Sequence, residues 1–242
     1  MTAVYVRIPG FVARHGFFTR LGGVSDHAFT SLNCSLSSTD DPALVAENRR
    51  LVAQAMGVER LLGLTQIHST EVVVVRHGDE TGARADAMVT RLHGVGLGVI
   101  TADCAPVLLV DRAAGVIGAA HAGWRGAVDG VLAATVAAMR DLGAGDIVAA
   151  IGPCIGPNSY EVGPELRDQV APEHHLFFRQ GEGDRLWFDL PGYCATRLQE
   201  AGVVEVFIEG SDTLADPRFW SHRRRTKAGG GSIGHQISVI AL

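Results

Sequence analysis

The chain has 242 residues, 47% hydrophobic and 19% charged, with 21 basic against 26 acidic side chains for a net charge of −5. That composition excludes a disordered tail, and its mild acidity argues against general nucleic-acid affinity, which rests on phosphate neutralisation. No apolar run approaches the ~18 residues of a membrane-spanning helix. The start, MTAVYVRIPGF, lacks the basic stretch, apolar block and cleavage site of a secretory signal. Four scattered cysteines, Cys34, Cys104, Cys154 and Cys194, suit a reducing compartment. A single cytoplasmic domain over 1–242 is expected, long enough to fold as a monomer.

The first element is an extended segment over 16–20 that closes on the Gly22-Gly23 turn. A helix follows over 42–56, with Asp41 as N-cap, Pro42 in the first turn and Gly57 as the left-handed terminator. Strands are expected at 64–67, 71–76, 96–101, 107–110 and 115–120. The clearest helix spans 124–142, where Val128, Val131, Leu132, Thr135, Val136, Met139 and Leu142 fall at helical spacing and Gly143 ends the run. A strand at 147–151, helices at 164–170 and 190–201, and strands at 203–208 and 233–241 complete the pattern. Strands and helices mix without strict alternation, which favours an α+β fold of mixed sheets flanked by helices.

Three metal-ligating residue types, His68, Cys104 and His121, fall at or just past the ends of expected strands. Their spacings of 36 and 17 residues match no local zinc motif. The residues alone leave three readings open: a buried thiol with two hydrogen-bonded histidines, a three-ligand zinc site, or a Cys104/His121 nucleophilic dyad. The segment from Gly123 to Gly126 joins a strand to a helix start, and its glycines, its free N–H groups and Arg125 suit an anion. The basic run Arg223, Arg224, Arg225 and Lys227 reads as a solvated loop with no specific nucleic-acid role. Within the following loop, GGSIG matches the hydrolase elbow pattern but lacks the strand before and the helix after. His174 and His175 are expected at the surface.

The stretches FFTRLGGVS, SLNCSLSSTDDPALVAENR, TQIHST, ADAMVT, ITADCAPVLLVD, GAAHAGWRGAVDGVL, IGPCIGPNSYEVG and FWSHRR span nearly the whole chain. In combination they resemble the YfiH family, variously called multicopper polyphenol oxidase, laccase-domain protein or purine nucleoside phosphorylase. The chain departs from the usual pattern at Asp212, Leu214, His235, Ser35 and Thr39.

The resemblance implies a zinc ion held by His68, Cys104 and His121, phosphorolysis of adenosine, inosine, guanosine and methylthioadenosine, and deamination of adenosine. Cys104, His121 and Arg125 are then the expected catalytic residues. Arg20, Asn33, Gly123, Arg125, Gly126 and Arg223 are the expected substrate contacts, and purine nucleosides and phosphate the partners. A metal-free Cys-His hydrolase editing peptidoglycan precursors is the alternative. A copper oxidase fits poorly, because ten scattered histidines and one Cys-His-His set do not supply several copper sites.

Overall fold

The computed structural model describes residues 2–242. In chain order the strands are β1 (Tyr5–Val6), β2 (Arg14–Phe18), β3 (Arg60–Leu62), β4 (Val72–Val75), β5 (Ala87–Thr90), β6 (Val95–Thr101), β7 (Ala105–Asp111), β8 (Val116–Ala122), β9 (Val148–Ile151), β10 (Glu161–Val162), β11 (Phe178–Gln180), β12 (Leu186–Phe188), β13 (Glu205–Ile208) and β14 (Gln236–Ala241). The α-helices are α1 (Pro42–Met56), α2 (Trp124–Asp129), α3 (Val131–Asp141), α4 (Pro164–Arg167), α5 (Leu190–Glu200) and α6 (His222–Lys227). None is long and apolar enough to cross a membrane among the described residues.

Two mixed sheets dominate, one of five strands in the order β1-β2-β14-β6-β3 and one of six in the order β13-β9-β7-β8-β5-β4. Their period-2 alternation decides the layers. Met88, Leu108, Ile117 and Ala119 point from the six-stranded sheet toward Phe17, Leu97, Val99 and Ile240 of the five-stranded one. The alternate residues Val89, Val107, Leu109 and Ala120 pack under Val136 and Met139 of α3 and Tyr193 of α5. On the outer face of the five-stranded sheet, Leu51, Val52 and Met56 of α1 cover Phe18, Ile237 and Val239. The result is helix, sheet, sheet, helix, the α+β class expected.

Helix α1 begins and ends where the sequence says it should. The Asp41 carboxylate accepts from the Ala43 N–H, and Gly57 closes the helix at φ 61°. Such a cap contributes about 1 kcal/mol, whereas each buried Leu, Val or Met contributes about 1.5–3 kcal/mol. Packing on the sheet therefore outweighs the cap in holding α1.

Several expectations are corrected. The helix expected over 124–142 is two helices, because Gly130 takes φ 104° and breaks the turn; periodicity survives such a break, so the apolar pattern hid it. The strand expected at 64–67 lies earlier, at β3, and only an isolated bridge from Thr65 to Arg84 remains there. Strand β5 and the small sheet β10-β12-β11 had no expected counterpart. The basic run is helical, with the Ser221 hydroxyl accepting from the Arg224 N–H as its N-cap. His174 is buried, 4% exposed, beside Tyr193 and within 3.1 Å of an Arg197 guanidinium nitrogen, contrary to its expected surface position.

Candidate active site and metal centre

The chain passes from the five-stranded to the six-stranded sheet twice in this region, from β3 to β4 and, after returning between β5 and β6, from β6 to β7. His68 sits on the first crossing and Cys104 in the tight second one, while His121 projects from β8. Their ligand atoms lie within 4.8 Å of one another. The two imidazoles stand edge to face, with centroids 4.8 Å apart.

Asp86 organises this cluster. Its Oδ1 lies 2.8 Å from His121 Nδ1, which leaves Nε2 of that ring for a ligand. Its Oδ2 accepts from Ile67 N–H at 3.2 Å, Ser69 N–H at 2.6 Å and Ser69 Oγ at 2.9 Å. Those bonds hold His68 between them at φ 58°. A non-glycine residue in that region costs about 1–3 kcal/mol. Hydrogen bonds to a charged group contribute about 1.5–3 kcal/mol each, so one carboxylate offsets the strain and aims both histidines.

Asp103 does the same for Cys104. It turns the chain at φ 91°, and its carboxylate accepts from Thr213 Oγ1 at 2.7 Å and from the Arg223 N–H at 2.6 Å. The crossing is thereby tied to the start of α6. Gly123 completes the cradle: a Cβ there would lie 2.9 Å from His68 Cδ2 and 3.0 Å from Cys104 Sγ. Burial alone would raise the Cys104 thiol, but the charge of His121 and hydrogen bonds from His121 and His68 outweigh it and bring the pKa down to about 6. A thiolate, two imidazoles, a carboxylate behind one of them and a glycine that keeps their space clear form a donor set suited to a metal ion.

The cluster opens into a cavity of about 590 Å³, within the range of small-molecule sites. Trp124, Tyr160, His222, Arg223, Arg49, Gln66, Thr101 and His235 are among the residues that line it with the cluster. The Arg223 guanidinium stacks over Tyr160 at 5.6 Å and donates to the Glu161 carbonyl.

Of the expected substrate contacts, only Arg223 lines this cavity. Arg125 is exposed and lies 4.7 Å over the Trp124 ring, outside the cavity wall. Arg20 donates to the Thr30 carbonyl and stacks on Trp220. Asn33 is fully buried, its amide donating to Ser38 and Asp40 and its oxygen accepting from the Ser35 and His235 N–H groups. Gly126 is buried against Val131. Asp86, Asp103 and Tyr160 were not among the expected site residues, and His235 entered only as a departure from the family pattern. The one available signal was a lone acid inside otherwise small or apolar strand-like segments, ADAM and TADC.

A family model described as multi-copper polyphenol oxidoreductase laccase matches residues 14–242. A Deinococcus radiodurans protein named purine nucleoside phosphorylase is 41% identical over 98% of this chain and 92% of its own length. Escherichia coli purine nucleoside phosphorylase YfiH is 37% identical over 87% of this chain and 88% of its own. The crystal structure of a Neisseria meningitidis protein superposes with a TM-score of 0.88 at 34% identity, covering 100% of this chain and 99% of that one.

Proposed function

The chain belongs to the laccase-like family that contains YfiH, and from that premise we propose that it is a zinc-dependent purine nucleoside phosphorylase that also deaminates adenosine. The observation that carries this reading is the opening of the His68, Cys104 and His121 cluster into a 590 Å³ cavity walled by aromatic rings and two arginines, in a chain whose relatives are named purine nucleoside phosphorylases.

His68, Cys104 and His121 would hold the zinc, which when bound supplies Lewis acidity at neutral pH. Asp86 holds His121 in the tautomer that presents Nε2. Trp124 and Tyr160 offer flat faces to a purine. Arg223 takes the phosphate role in this reading, because it faces the cavity and Arg125 does not. In phosphorolysis a phosphate oxygen bonds to the anomeric carbon as the carbon–nitrogen bond to the purine breaks, and the purine leaves with a proton. Positioning and charge stabilisation on both sides of the sugar are what the wall must supply. In deamination water adds at the carbon bearing the amine and ammonia leaves.

The copper oxidase name is not carried over, since the donor set among the described residues is one cluster containing a thiol. The depressed Cys104 thiol beside His121 favours one second reading, a metal-free thiol hydrolase acting on peptidoglycan precursors. The test is turnover of adenosine, inosine, guanosine and methylthioadenosine with and without phosphate, before and after chelation. Base release that needs both phosphate and metal is expected; no turnover of any nucleoside by zinc-loaded protein overturns the reading.

A further inference from the structure

Two histidines of the cavity wall are held in opposite ways. His121 has its Nδ1 fixed by Asp86. The ring of His235 makes no hydrogen bond to the protein among the described residues, and its Nδ1 is buried without a partner. Its Nε2 is the nitrogen left accessible. The backbone beneath that ring is nevertheless pinned. The His235 N–H donates to Asn33 Oδ1 at 3.0 Å, and its carbonyl accepts from the Cys34 N–H at 3.1 Å. The next residue, Gln236, accepts from the Trp220 N–H at 2.8 Å and donates to the Trp220 carbonyl at 3.2 Å. Thr101, the register partner of Gln236, adds a second buried oxygen without a partner and lines the same cavity. Buried polar groups left unpaired cost stability, so two of them on one stretch of wall mark hydrogen-bonding capacity that the fold does not use.

We propose that His235 is a specificity-determining residue that reads the 6-position of the purine through Nε2, and that its untied Nδ1 lets it change tautomer to suit a 6-amino or a 6-oxo ring. The inference rests on the nucleoside reading above. Which nitrogen of a neutral imidazole carries the proton is set by the partner of the other one. With the proton on Nδ1, Nε2 accepts from a 6-amino group; with it on Nε2, the ring donates to a 6-oxo group. His121 has no such freedom. Burial above all pushes the pKa of His235 down to about 4, so the ring meets its ligand uncharged. That suits a neutral heterocycle better than a phosphate. Leu36, Leu64 and Ile100 also line the cavity and suit a flat ring better than a sugar, whose hydroxyls they would leave unpaired.

The probes are the free bases adenine, hypoxanthine and unsubstituted purine, none of which can be phosphorolysed. His235→Phe should weaken adenine and hypoxanthine binding about three- to tenfold, the loss expected for one neutral hydrogen bond, and leave purine binding unchanged and the unfolding temperature no lower. In the unsubstituted protein, nitrogen NMR should move the His235 Nε2 resonance toward the unprotonated range with adenine and toward the protonated range with hypoxanthine, while the His121 tautomer stays fixed. Displacement in the same direction by both bases, or an equal loss of purine binding in the variant, overturns the inference while leaving the nucleoside reading standing. If none of the three bases binds the unsubstituted protein, the nucleoside reading falls with it.

Discussion

Four thiols in one chain show how far neighbours decide reactivity. Burial pushes Cys34 up to about 12 and raises Cys154 and Cys194 as well, and all three are held in the core. Cys104 alone is shifted down, by two imidazoles that outweigh its burial. A metal-bound thiolate has its lone pairs engaged and alkylates slowly, whereas the same thiolate freed of metal is the nucleophile iodoacetamide seeks. We therefore expect mass spectrometry to find Cys104 labelled slowly in metal-loaded protein and quickly after chelation, with the other three unlabelled in both. Fast labelling before chelation, coupled to a hydrolytic activity that chelators leave intact, would favour the thiol hydrolase. His68, Cys104 and His121 stood out in the sequence as donor side chains at strand ends, and the structure brings their ligand atoms within 4.8 Å of one another. Asp86 did not stand out, because its partners His121 and Ser69 are brought to it only by the sheet and its crossings. Arg125, near His121 in sequence, stacks on the outer side of the wall residue Trp124, because adjacency in sequence does not decide which side of a short helix faces the cavity.

At the scale of elements, the basic run is the instructive case. As a helix it sends its three arginines to three different jobs. Arg223 faces the cavity, Arg225 donates to the Gly231 carbonyl, and Arg224 donates to the carbonyls of Thr213, Leu214, Asp216 and Phe219. Those four carbonyls belong to one irregular segment, so Arg224 is its internal support. Arg224→Ala should lower stability by about 3 kcal/mol, because several acceptors lose a charged donor at once. The same division leaves no contiguous basic face for a phosphate backbone, so the unsubstituted protein should bind neither DNA nor RNA in a salt-sensitive way at submicromolar concentration. Denaturant midpoints and a salt titration check the two expectations. Sequence reading took this run for a solvated loop because charge and glycine dominate its composition, while its cap, Ser221, precedes no apolar stripe. By contrast α1 was legible to the residue, since Asp41, Pro42 and Gly57 mark its ends and the apolar stripe between them faces one sheet. The small sheet β10-β12-β11 was illegible, because strands of two or three residues are too short to show alternation.

For the molecule as a whole, the position of the ligand cluster matters more than its local geometry. The two large sheets share one core layer, so they should melt together. The chain passes between them at the crossings that carry His68 and Cys104, and His121 comes from a third place, β8. An ion bound by all three would tie both crossings to the six-stranded sheet, and the unfolded chain offers no comparable site. Binding free energy then becomes folding free energy. With zinc about 1,000-fold above its dissociation constant the gain is about 4 kcal/mol. For a chain of this size each kcal/mol raises Tm by about 2–4 °C, so calorimetry should find metal-loaded protein melting roughly 8–16 °C above chelated protein, in one transition each time. Equal melting temperatures would mean that the cluster holds no ion in the folded state. A second transition in the chelated protein would mean that the crossings, rather than the shared core, join the sheets.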